Sequence, residues 1–146
     1  MEISKEFIPY EQASALKELG FDKPCFGDYY KFDNNDIHLD TADDRHRIIT
    51  DNKDEVIIEI SAPLYQQAFR WFRENYDLVH TVYSNASGYI WELHYNQERG
   101  GTHICDSGES GDCEMSGMFT TYEKAELECL KKLIEIIKEK NQWKTG

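Results

Sequence analysis

The sequence predicts an α+β fold: one compact domain whose antiparallel sheet, of about four to six strands, is covered mainly on one face by two or three helices. Three observations carry this. Apolar residues recur at three- and four-residue steps in segments 10–19, 63–76 and 121–141. Apolar and polar residues alternate cleanly over 89–95. Elsewhere, short β-branched and aromatic runs are punctuated by turn-forming residues.

In chain order, Ala13, Leu16 and Leu19 share one face of a helix over 10–19, and Gly20 stands where a left-handed cap belongs. Phe21 and Pro24 make a turn. Residues 25–44 are aromatic at first (Phe26, Tyr29, Tyr30, Phe32) and then rich in aspartate, which fits one or two short strands and an exposed loop. A hairpin is expected over 47–60, because Arg47–Thr50 and Glu55–Ile60 flank the turn-forming Asp51-Asn52-Lys53-Asp54. Pro63 opens the helix over 63–76, with Tyr65, Phe69, Phe72 and Tyr76 along one side.

Strands over 78–84 and 89–95 follow, joined through Asn85-Ala86-Ser87-Gly88. In the second, Tyr89, Trp91, Leu93 and Tyr95 face one way and Ile90, Glu92 and His94 the other. Thr102 to Cys105 adds a short strand before a polar loop over 106–117. The last helix, over 121–141, starts at a capping box of Thr120 and Glu123 and carries the stripe Leu127, Leu130, Leu133, Ile134 and Ile137. Glu128 is spaced to pair with Lys132.

Charge is distributed unevenly. The net charge is −12 over 146 residues, and residues 1–62 hold 15 acids against 7 bases, so the acid concentrates in the first half. No basic stripe exists to neutralise phosphates, which disfavours direct nucleic-acid binding and leaves room for an acidic face that meets a basic protein. The amino-terminal residues carry no basic stretch followed by an apolar run, and no segment approaches the length of a membrane span, so a cytoplasmic protein without membrane attachment is expected. Cys25, Cys105, Cys113 and Cys129 are then expected as reduced thiols.

Chemistry-bearing patterns are sparse. His103-x-Cys105 with Cys113 has the ligand types zinc prefers, but the paired spacing of a zinc site is missing, and neither a metal nor a cofactor is expected. Asp33, Asp36, Asp40, Asp43 and Asp44 lack the glycine and terminal glutamate of a calcium loop and read as a solvated acidic turn. No phosphate-cradling or hydrolase motif is present, so no catalytic residues are assigned and the balance leans away from an enzyme. The residues left as binding candidates are Asp40, Asp43 and Asp44, the helix side bearing Arg70 and Arg73, and the strand row with Glu92 and His94.

Three blocks resemble known sequences: Phe7-Ile8-Pro9-Tyr10-Glu11-Gln12-Ala13 with Leu16-Lys17-Glu18-Leu19-Gly20-Phe21, then Ala62–Arg73, then Thr121-Tyr122-Glu123-Lys124-Ala125-Glu126-Leu127. Together they resemble small uncharacterised proteins of bacterial prophages and other mobile elements, in which a Trp-Phe/Leu-Arg helix, two strands and a Thr-Tyr-Glu-x-Ala helix follow one another. The resemblance covers about a third of the chain, in residues that build the fold. It implies no catalytic residues. The leading expectation is a non-enzymatic protein-interaction module with a protein partner, either monomeric or homodimeric. The alternatives are a small-ligand or nucleotide binder, or minor enzyme, with a pocket between sheet and helices, and an anti-defence protein whose acid mimics nucleic acid and inhibits a host protein.

Overall fold

A computed structural model describes residues 3–42, 45–51, 53–110 and 118–145. The chain divides into two compact units, Met1–Ala68 and Phe69–Gly146. Among the described residues, six strands form two antiparallel sheets of three, one in the order β2 (Ile37–Asp40), β1 (Gly27–Phe32), β3 (Val56–Ala62) and the other in the order β4 (Leu78–Asn85), β5 (Gly88–Tyr95), β6 (His103–Asp106). The single sheet of four to six strands expected from sequence is therefore corrected to two of three. The helix between β3 and β4 separates the strands in sequence, and each sheet finds its partners within its own half.

In the first unit, α1 spans Tyr10–Leu19 and ends on Gly20, whose φ of 106° only glycine adopts without strain. The N–H groups of Gly20 and Phe21 donate to the carbonyls of Lys17 and Leu16, closing the helix end. Strand β1 (Gly27–Phe32) lies between β2 (Ile37–Asp40) and β3 (Val56–Ala62). Its row Leu39–Tyr29–Ile60 crosses all three strands. Tyr29 and Ile60 are buried together with Ala13 and Leu16 of α1. The Tyr29 hydroxyl donates to the carbonyl of Ile8 at 2.7 Å.

The hairpin expected over 47–60 does not form. Helix α2 (Arg45–Asp51) takes its first arm, and the second arm becomes β3, paired with β1. Within α2 the Thr50 hydroxyl donates to the carbonyls of His46 and Arg47, one turn back along the helix. Pairing with β1 also buries Ile60 and Ala62, which a hairpin with an exposed partner arm would leave wet.

Helix α3 (Tyr65–Tyr76) runs through the boundary between the units. In the second unit β4 (Leu78–Asn85) and β5 (Gly88–Tyr95) form a hairpin, with β6 (His103–Asp106) on the far side of β5. The short α4 (Ser107–Ser110) replaces the start of the expected polar loop, whose residues 111–117 lie outside the described ones. Helix α5 (Tyr122–Thr145) buries Ala125, Cys129, Leu130, Leu133, Ile134 and Ile137. Its cap is Thr121, not Thr120, since the Thr121 hydroxyl accepts the N–H of Lys124 at 3.2 Å. Glu128 pairs with Lys131, and Lys132 with Glu135, in place of the expected Glu128–Lys132 pair. Among the described residues no helix is long and apolar enough to cross a membrane.

Candidate functional site

In the first unit, the most distinctive surface is the outer side of β3. The sequence Val-Ile-Ile-Glu-Ile-Ser-Ala makes a strand because β-branched side chains fit a pleated surface. Among the described residues only one edge of it is paired, to β1. Ile57 is 55% exposed, Ile58 is also exposed, and Ile37 of β2 is exposed on the same cross-strand row as Ile58, through Lys31. Such side chains leave a partly apolar strand end open to solvent.

Beside this strand lies a cleft of about 280 Å³, lined by Ala13 and Lys17 of α1, by Phe21 and Asp22, and by Glu59, Ile60 and Ser61. Three consecutive strand residues point alternately to opposite faces. A cleft that touches all three therefore opens along the strand's free edge. Ala13, Phe21 and Ile60 give it an apolar floor, and Lys17, Asp22 and Glu59 a charged rim.

Acid lies before this strand and on it. Asp54, at the start of the strand, has its carboxyl raised above the usual range, first by partial desolvation and then by the neighbouring carboxylates Asp33 and Asp36. Glu59 accepts from Arg45 at 3.1 Å. On the same side of the sheet, Tyr30 is 1% exposed, and its hydroxyl is pushed up to about 12 by burial and then by Glu59, Asp28 and Asp40, with Arg45 working in the opposite sense.

The sequence-derived candidates are scattered by the fold. Asp40 is 5% exposed and accepts the N–H of Ala42, so its carboxylate holds the chain after β2 and is not presented to a partner. Asp43, Asp44 and Cys113 lie outside the described residues. Arg70 is exposed and bonded to Glu74 at 2.7 Å, one helical turn away. Arg73 acts on His80, whose imidazole is pushed down to about 4, first by burial and then by that guanidinium. The ring of His80 stacks on Phe69, with centroids 3.6 Å apart.

Glu92, His94 and His103 do come together. Register places His94 opposite His103 and Glu92 opposite Asp106, on the sheet face that does not carry Trp91 and Leu93. There the Glu92 carboxylate lies 3.3 Å from Nδ1 of His103. Cys105 pairs with Leu93 and so turns to the other face, which removes it from the expected His103–Cys105 ligand pair. On that face Cys129 is fully buried, and burial, then Cys105 and Glu126, push its thiol upward. Among the described residues no group of three or more His, Cys, Asp or Glu is placed to hold a metal ion.

The cleft beside β3 is not legible in the sequence, because the β-branched run 55–60 fits a hairpin arm locally and its pairing with β1 depends on residues distant in the chain. Exposed isoleucines in an otherwise acidic stretch were the available signal. Comparisons of the chain with protein-family models, with curated proteins and with solved structures give no match.

Proposed function

We propose that this chain is a non-enzymatic protein-interaction module, acting in the cytoplasm for a bacteriophage or other mobile element, and that it engages its partner through the first unit. The observation that carries this reading is the exposed, isoleucine-bearing edge of β3, set in acidic surroundings beside a cleft. Exposed apolar side chains on a strand end, beside a cleft with a charged rim, fit a contact surface. The resemblance of three sequence blocks to prophage proteins supplies the setting.

The apolar residues in this surface favour a protein partner over the nucleic-acid-mimic reading, since a mimic would present acid without isoleucine between. Affinity capture from a bacterial lysate, run side by side with the wild-type chain and an Ile57→Lys/Ile58→Lys variant, tests the proposal. A discrete partner recovered by the wild type and lost by the variant is the expected result. Identical recovery by both, with the variant's circular dichroism and melting temperature unchanged, overturns it.

A further inference from the structure

We propose that the free edge of β3 takes up a basic, extended segment of the partner as a fourth strand of the sheet, with one of its apolar side chains seated in the cleft between β3 and α1. The inference rests on the protein-binding reading above and specifies how that binding occurs.

Backbone geometry comes first. β3 is the last strand in the order β2-β1-β3, and alternate N–H and C=O groups of an edge strand point away from the sheet. Among the described residues, none of Val56–Ser61 makes a backbone hydrogen bond outside its ladder with β1. Natural sheets protect such edges with lysine, proline, bulges or covering segments. Val56–Ala62 contains no lysine and no proline, and its irregularity against β1 lies at one end only, between Lys31 and Phe32.

The cleft adds selectivity that a bare edge lacks. Its lining by Glu59, Ile60 and Ser61 places it beside the strand, with Ala13, Lys17, Phe21 and Asp22 forming the opposite wall. Strand addition draws affinity from main-chain bonds and specificity from pockets that take alternate side chains. At about 280 Å³ the cleft is small for a drug-sized ligand, for which roughly 300–1,000 Å³ is typical, and suits a single apolar side chain.

Charge decides the occupant. Residues 1–62 hold 15 acids against 7 bases, and of the charged residues lining the cleft Asp22 and Glu59 are acidic and Lys17 basic, with Arg45 bonded to Glu59. A second copy of this chain would bring the same acids across the new ladder, where like charges are destabilising. A segment alternating lysine or arginine with apolar residues complements both the acid and the isoleucines.

The test uses the full chain and three nine-residue peptides: one alternating lysine and isoleucine, the same with glutamate for lysine, and the lysine peptide with two isoleucines replaced by proline. Titration calorimetry reads binding, and amide hydrogen exchange reads its location. The lysine peptide is expected to bind and to slow exchange by at least about tenfold in Val56–Ser61 while leaving β4 unchanged. Asp54→Lys/Glu55→Lys should weaken it by about tenfold or more. Ser61→Trp, at an exposed position on the cleft wall, should block it while the protein remains folded.

Equal binding of the proline peptide, or protection elsewhere than β3, overturns strand addition, because charge alone would then explain the affinity. Should a partner be captured through Ile57 and Ile58 without protection of β3, strand addition fails and the protein-binding reading stands. Absence of both capture and peptide binding removes the two together.

Discussion

Acidification should expose the buried histidine of the second unit. His80 sits on β4 with its ring stacked on Phe69, and burial followed by the Arg73 guanidinium holds its pKa down to about 4, from an ordinary 6.5. In the unfolded chain this imidazole takes up a proton near pH 6.5, whereas in the folded chain it stays neutral until about pH 4. The depressed value means that the folded state suffers no penalty above pH 6.5 and loses stability as pH falls through the gap. Each pH unit across that gap is worth about 1.4 kcal/mol, so His80 alone should cost about 3 kcal/mol by pH 4.

The whole-protein curve will not show this directly, because a chain of net charge −12 also loses self-repulsion as its carboxylates protonate. His80→Phe isolates the effect, since it keeps an aromatic ring against Phe69 and removes the titration. Urea unfolding of both proteins at pH 7, 6, 5 and 4.5 gives the difference in free energy at each pH. The wild type should lose about 2 kcal/mol or more relative to the variant between pH 7 and 4.5. A pH-independent difference, or an NMR titration of His80 with a midpoint near 6.5, would refute the reasoning.

Two further perturbations probe the packing. Tyr29→Phe removes the buried bond to the Ile8 carbonyl and leaves that carbonyl short of a donor, so urea unfolding should report a loss of about 1–2 kcal/mol. Gly88→Ala would place a Cβ 2.7 Å from the carbonyl oxygen of Phe119, at a φ of 150°, and should disrupt the bridge between Tyr89 and Phe119. A melting temperature lowered by several degrees, with faster exchange of the Tyr89 and Phe119 amides, is the expected outcome, and an unchanged value would contradict the close approach.

Local signals served best where one segment satisfies its own demands. Gly20 closes α1 through φ and two backbone bonds, both local. The alternation of Tyr89, Trp91, Leu93 and Tyr95 marks the buried face of β5 because side-chain period two needs no knowledge of the partner. The cap of α5 falls on Thr121 and not on the expected Thr120, since the two offer equivalent hydroxyls and only backbone geometry chooses between them. Of the candidate residues, Glu92, His94 and His103 converge through β5–β6 register, while Asp40 is taken into the fold.

By itself, then, the sequence determined the mix of helix and strand, the acidic character of the first half and the faces of the strongly patterned elements. Periodicity and composition are properties of short stretches. Strand partnership is not. Pairing β3 with β1 joins residues about thirty positions apart, and such a choice is made by which pairing buries Ile60 and Ala62, a sum over the whole unit. That tertiary decision divided the strands between two sheets, left one edge of β3 unpaired among the described residues, and placed a cleft beside it.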